Sequence, residues 1–358
     1  MPKRIAQWAL FLRDESFTAI STVLATAIGL ASPLPNMTHW YGCLMSQFPH
    51  RPFRFGVQVS KEATAKGWAE LARRAEGAGY DVLTMPDHFT DQLAPMPALM
   101  AAASATTTLR VGALVFDNDY KHPLIMAKEL ATLDVLSDGR TGFGMGAGWM
   151  ISDDDQSGIP YDSPKVRIDR FIEGMAIIRG AMAEGPFSFQ GEHYTITNYD
   201  GHPKPVQKPL PPVLIGGGGK RVLSYAAREA DIIGINGTLT AGVVGPEALS
   251  TMTAESVDEK VAIVAAAGAH RLNDIAMNIR TFFVKVTDDR AKTVEGISSM
   301  FGVSKEMIDA SPFALIGSVD SCIEQLLERR ERWGFSYTIV GGENIDECAP
   351  IVAALRGK

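Results

Sequence analysis

Val213-Leu214-Ile215-Gly216-Gly217-Gly218-Gly219-Lys220-Arg221 is the stretch on which the reading of the fold turns. Its apolar run, opened by Pro211 and Pro212, reads as a buried strand. It empties into four glycines, and a helical pattern from Val222 to Glu229 starts at once. A glycine turn between a strand and a helix lets backbone N–H groups point at an anion, and the helix N-terminus adds its partial positive charge. Gly216, Gly217, Gly218 and Gly219 therefore read as a phosphate cradle, with Lys220 and Arg221 as charged helpers. The plainer alternative is a flexible turn, because a glycine run without a fixed pattern is not specific.

The place of this turn in the chain separates two architectures. A doubly wound open sheet carries its glycine turn after the first strand. Here the first strand, Phe53 to Val59, is followed by Ser60-Lys61-Glu62. Working outward, strands are expected at Asp81 to Met85, Leu109 to Phe116, Thr141 to Met145, Val213 to Ile215, Asp231 to Ile235, Asn278 to Val286 and Ser336 to Val340. Helical patterns separate them: Ala65 to Ala78, Pro97 to Thr106, Leu124 to Leu136, Val166 to Glu184, Val222 to Glu229, Ser256 to Ala267, Ala291 to Met300 with Ser304 to Asp309, and Val319 to Trp333. Eight alternations predict a closed (β/α)8 TIM barrel, and the glycine turn then follows strand five. A phosphosugar isomerase or aldolase barrel would place its phosphate loops after strands seven and eight, which disfavours that class.

Three segments interrupt the alternation: Met150 to Pro164, acidic and turn-rich; Phe187 to Thr197, which reads as a hairpin around Gln190-Gly191-Glu192; and Asn236 to Leu249, rich in Gly and Thr. Rim insertions of this kind close over substrates.

In a barrel, the chemistry sits at the C-terminal ends of the strands. Strand two ends in Pro86-Asp87-His88-Phe89, so His88 is the candidate proton-transfer group, with Asp87 beside it. Strand three ends in Asp117-Asn118, short polar groups suited to a ring carbonyl or N–H. Further on, Lys121-His122-Pro123 opens a helix, and His122 reads as a capping group. Strand four ends in Gly146-Ala147-Gly148-Trp149: the glycines allow close approach of a flat ligand, and Trp149 either stacks on a substrate or plugs the barrel top. Ser152 to Asp155 is expected to be a solvated acidic lip, and His193, His202 and His270 to be surface groups. No HExxH, CxxC, GxSxG or P-loop pattern is present, which disfavours metalloprotease, serine hydrolase and NTPase readings. No metal site is expected.

The 358 residues are 46% apolar with a mean hydropathy near zero. A net charge of −7 argues against a nucleic-acid partner, which requires a basic face. Cys43, Cys322 and Cys348 are an odd set without metal-ligand spacing, as suits a reducing cytoplasm. Residues 1–50 differ from the rest: Lys3 and Arg4 precede an apolar stretch from Phe17 to Ala31. A signal peptide and a weak membrane anchor are both open readings. Arg13, Asp14 and Glu15 interrupt the pattern, so the favoured one is an extension outside the domain, disordered or upstream of a true start at Met45. The barrel domain is then 51–358.

Together, Tyr80-Asp81-Val82-Leu83, Asp87-His88, Lys121-His122-Pro123, Leu133 to Arg140, Gly144 to Trp149 and Ile215 to Gly219 resemble the luciferase-like flavin and deazaflavin oxidoreductases, in particular the branch that uses coenzyme F-420. The resemblance runs from Arg51 to the C-terminus. It implies a barrel with insertions, often a homodimer, and a cofactor ring at the rim with its phosphate on the glycine loop. It also implies a non-prolyl cis peptide near Ala113 to Val115. With a ring so placed, the strand-end residues are expected to act on it: His88 as proton donor or acceptor, Asp87, Asp117, Asn118 and the 146–148 segment as ring contacts, and Trp149 as a substrate contact. The sugar-phosphate dehydrogenases of that family carry an acidic residue where this chain has Trp149, so that activity is not expected here. The function implied is F-420-dependent hydride transfer to or from a small organic substrate. An FMN-dependent monooxygenase is the enzymatic alternative, and a non-catalytic flavin-binding barrel is the alternative of another class.

Overall fold

Eight parallel strands close on one another. In the computed structural model they are β1 (Arg54–Gln58), β2 (Val82–Met85), β3 (Arg110–Ala113), β5 (Thr141–Gly146), β8 (Val213–Gly217), β9 (Ile232–Ile235), β10 (Ala276–Arg280) and β13 (Phe335–Gly341). The order β3-β2-β1-β13-β10-β9-β8-β5 is closed by pairing of β3 with β5, Val111 opposite Thr141 and Gly112 opposite Gly142. The structure describes residues 48–62, 64–239, 242–243 and 245–358. The reading of residues 1–50 therefore falls almost wholly outside the described residues.

Closure explains two glycines. A Cβ at Gly112 would stand 2.5 Å from Gly142 O, and one at Gly144 would stand 2.0 Å from Ala113 O. Only a residue without a side chain lets β3 and β5 approach this closely.

Alternation along the strands builds two cores. Val82, Leu214, Ile232, Ala276, Tyr337 and Ile339 form one cluster inside the barrel, with Leu114 and Val115 against it. Their neighbours Leu83, Ile215, Ile233 and Met277 point the other way, into the larger core beneath the helices. Much of the recognised sequence pattern serves this scaffold. Asp81 accepts from Phe55 N at 2.9 Å and pairs with Arg356. Arg140 donates to Ala103 O, Leu109 O and Ser137 O, tying the end of one helix to the base of the barrel.

Several expectations are corrected. The strand expected over Asn278 to Val286 is two strands in different sheets: β10 lies in the barrel, and β11 (Phe283–Val286) pairs with β12 (Ala314–Gly317) outside it. Thr281 N bonds to Ile339 O, but Phe282 N turns to Phe313 O, and that change of partner divides the run. The acidic segment after Trp149 is only in part a solvated lip, with Ser152 and Asp155 exposed. It contains a helix, Ile151–Ser157, and Asp153 and Asp154 are 3% and 5% exposed. Phe187 to Thr197 is a hairpin as read, β6 (Phe187–Gln190) with β7 (Thr195–Tyr199). Among the described residues no helix is long and apolar enough to cross a membrane.

Candidate active site at the strand C-termini

Strand three breaks at the rim. After Ala113 the chain forms a bulge and resumes as β4 (Phe116–Asp117), beside Met145 and Gly146 of β5. The bond between Leu114 and Val115 is cis, inside the expected interval. Leu114 N donates to Met85 O and Leu114 O accepts from Gln58 Nε2, both at 2.8 Å. The Val115 side chain lies over three glycines. A Cβ at Gly146 would be 2.7 Å from Val115 Cγ2, and Cβ atoms at Gly144 and Gly216 would be 3.4 and 3.5 Å from Val115 Cγ1. Bare backbone of strands four and five thus makes room for one valine.

The four glycines after β8 have different surroundings. A Cβ at Gly218 would meet Gly237 O at 2.3 Å and Asn236 O at 2.7 Å, whereas one at Gly219 would meet nothing within 4 Å. Gly219 caps the helix Lys220–Glu229 without any side-chain cap, and the helical ladder starts with Leu223 N to Gly219 O. The first amides of this helix thus have no side-chain capping oxygen, the arrangement that can receive an anion. The loop beyond β9 is braced from behind: buried Lys260 donates to Asn236 O at 2.8 Å and Thr251 O at 2.6 Å, and burial pulls its pKa down to about 8. Arg221 turns away from the loop onto Asp169, and Lys220 is exposed.

His88 lies at the end of β2, with its side chain 19% exposed. Its Nδ1 is 2.7 Å from Asp153 Oδ2. A carboxylate there fixes the tautomer with the proton on Nδ1 and leaves Nε2 free to accept one. Asp153 also accepts from Tyr120 Oη at 3.1 Å. Trp149 meets the imidazole edge-on, with ring centroids 5.6 Å apart. Burial raises the Tyr120 phenol, as do the charges of Asp117 and Asp153, so it stays a donor.

Beside this pair is a cluster of acids. Asp87 accepts from Asp117 N at 3.2 Å, and Asp117 accepts from Asp119 N at 2.9 Å. Burial, then the charges of Asp119, Asp87 and Asp154, push Asp117 up to about 8; burial also raises Asp87. Asp117 therefore holds its proton to much higher pH than an ordinary carboxyl. Asp119 is held by both arms of Arg170, at 2.8 and 2.7 Å. Gly148, at φ +71°, passes so close to Asp117 that a Cβ would stand 2.5 Å from its carboxyl oxygen.

His88, Trp149, Asp87, Asp117 and the 146–148 backbone thus converge around the bulge. Asn118 is placed differently: it is fully buried, donates to Asp119 and Tyr194, and presses its Oδ1 against Gly174. Ala147 is half-buried, next to Gly146. His122 caps its helix by accepting from Leu124 N. Sequence reasoning missed Asp153, Gln58 and Val115. Asp153 lies 65 residues from its partner, and only the geometry of the insertion brings the two together.

Comparison with known proteins decides the family. A model of the luciferase-like monooxygenases matches residues 50–337. The chain belongs to that family. An FMNH(2)-dependent dimethylsulfone monooxygenase of Pseudomonas putida is 25% identical over 80% of each chain. An F-420-dependent glucose-6-phosphate dehydrogenase of Kineococcus radiotolerans is 29% identical over 51% of this chain and 56% of its own length. The structure of the F-420-dependent tetrahydromethanopterin reductase of Methanopyrus kandleri shares the fold at a TM-score of 0.69 and 18% identity, over 85% of this chain and 98% of that one. This luciferase-like chain therefore has oxidoreductase relatives of both cofactor types.

Proposed function

We propose that the protein is a deazaflavin-dependent oxidoreductase, using coenzyme F-420, that transfers a hydride to or from a small organic alcohol or carbonyl compound. The observation that carries this reading is the His88–Asp153 pair at 2.7 Å beside the bulge. Hydride exchange at an alcohol carbon or a carbonyl needs a partner for the oxygen's proton. An imidazole with Nδ1 committed to a carboxylate meets that need through Nε2.

The residues present suit a planar ring with an anionic tail. The uncapped amides after Gly217 suit the phosphate, and the Val115 side chain over Gly144, Gly146 and Gly216 suits a ring face. When bound, the cofactor supplies two-electron chemistry. His88 takes the hydroxyl proton at Nε2 in oxidation and returns it in reduction. Asp153 holds the imidazole plane and offsets the charge that then develops on the ring. Asp117 and Asp87, both pushed toward the protonated form by burial, bind polar edges, and Trp149 limits the substrate side. The reading includes cytoplasmic location and a homodimer.

A second reading, FMN-dependent monooxygenation, is favoured by one observation: the dimethylsulfone monooxygenase aligns over 80% of each chain, the dehydrogenase over about half. Titration of the purified protein with oxidised and reduced F-420 and with FMN, followed by tryptophan fluorescence, separates the two. Submicromolar binding of F-420 with weak FMN binding supports the first. The opposite ranking replaces it with the second, and binding of neither removes both.

A further inference from the structure

Arg280 ends β10 at the rim, and its guanidinium reaches inward across the mouth. Nε donates to Gln58 Oε1 at 3.0 Å, and Nη1 donates to the carbonyl of Thr281. Gln58 in turn holds Leu114 O, so one line of hydrogen bonds joins strand seven, strand one and the bulge. The ring of Phe282, 45% exposed, flanks the guanidinium with its centroid 5.2 Å away.

Two other arginines of the region have carboxylate partners: Arg170 has Asp119 and Asp162, and Arg221 has Asp169. Among the described residues Arg280 has only neutral oxygens. The exposed carboxylate of Glu343 acts on it from beyond ion-pair distance. Nη2 has no acceptor among the described residues. Burial lowers the guanidinium pKa to about 10, so it is still a cation at pH 7. A cation drawn out of water lacks compensation unless an anion joins it. The free edge of a guanidinium, two parallel N–H groups, matches a carboxylate.

We propose that Arg280 is a specificity-determining residue that binds the carboxylate of an organic acid substrate through Nη1 and Nη2, with Gln58 fixing the guanidinium plane and Phe282 lining the adjoining apolar part. The proposal rests on reading this mouth as the cofactor and substrate site. It narrows the substrate class to acids carrying an alcohol or carbonyl.

Benzoate and its uncharged analogue benzamide test it on the full-length protein, followed by tryptophan fluorescence. Benzoate should bind saturably, and benzamide about ten-fold or more weaker. Arg280→Gln should weaken benzoate about ten-fold or more and leave benzamide unchanged, with Arg280→Lys in between. Gln58→Glu should give the same loss with Arg280 intact, because the guanidinium then has its own carboxylate. Thermal unfolding reports whether each variant is folded, and the second carries the test if the first is not. Equal binding of the two probes, no saturable benzoate binding, or variants that bind benzoate as the parent does would each overturn the proposal. Cofactor titrations of the same variants form the second arm. A loss of cofactor affinity with benzoate binding retained overturns the proposal and assigns Arg280 to the ring. Arg280-dependent benzoate binding in a protein that binds neither F-420 nor FMN leaves the proposal standing and removes the cofactor reading.

Discussion

Asp153 Oδ2 is 2.7 Å from His88 Nδ1, and the two come from different layers of the fold. His88 follows a barrel strand, whereas Asp153 stands in the first turn of the helix Ile151–Ser157 in a rim insertion. A group that orients an imidazole without touching substrate acts through the tautomer it enforces. Asp153→Asn should therefore lower turnover about 100-fold. Cofactor affinity should stay within about a factor of three. His88→Ala should lower turnover about 100-fold or more, and adding Asp153→Asn to it should cost nothing further, since the two act as a unit. Steady-state kinetics beside cofactor titration checks this; unchanged turnover in His88→Ala would falsify the assignment.

The glycines of the rim should differ in tolerance. Gly218→Ala forces a methyl against Gly237 O, a backbone atom 2.3 Å away, whereas Gly219→Ala meets open space. The first should cost about 1–3 kcal/mol of stability or displace the 236–238 loop, and the second should cost little. Cofactor affinity should fall with Gly218→Ala and hold with Gly219→Ala. Urea unfolding and FMN or F-420 titration read both.

Glu76 gives a pH-dependent prediction at the base of the barrel. Burial acts to raise its pKa, but the N–H groups of Thr107, Thr108 and Leu109 outweigh that and hold it at about 2. A depressed acid contributes stability above its unfolded value, and that contribution is lost as pH falls through about 2. Glu76→Gln should lose about 1–2 kcal/mol at pH 7. The gap to the parent should close between about pH 4.5 and 2, measured by urea unfolding across pH.

Asp117 runs the other way. With its pKa raised from 3.8 to about 8, the native state holds a proton that the unfolded chain releases. Stability from this group falls as pH rises from about 4 to about 8. Asp117→Asn mimics the neutral acid without titrating. Its stability relative to the parent should rise across that window, by up to about 1.4 kcal/mol per pH unit. A gap that stays flat with pH would show that Asp117 is ionised in the native state.

The barrel was legible because β-strand and helix patterns alternate and because Ser60-Lys61-Glu62 excludes a glycine turn after strand one. His88 and the glycine loop were legible because position at a strand end is itself a signal. What was hidden depends on contacts distant in sequence. The four buried residues of β12, set in the chain between two helices, carry too little periodicity to be found. Asp153 sits in a Ser- and Asp-rich helix with no side-chain cap, which reads as a turn. Arg280 was read inside one long strand, and its side-chain direction appears only once β10 and β11 part.

Ile151 N donates to Gly242 O, so the segment bearing Asp153 is stitched to the other long excursion of the rim. For anyone grafting loops among barrels of this type, exchanging the 150–164 piece would do more than reshape the entrance. It would strip the imidazole of its counter-charge and unmoor the opposite flap, so the two excursions have to be transplanted as a pair.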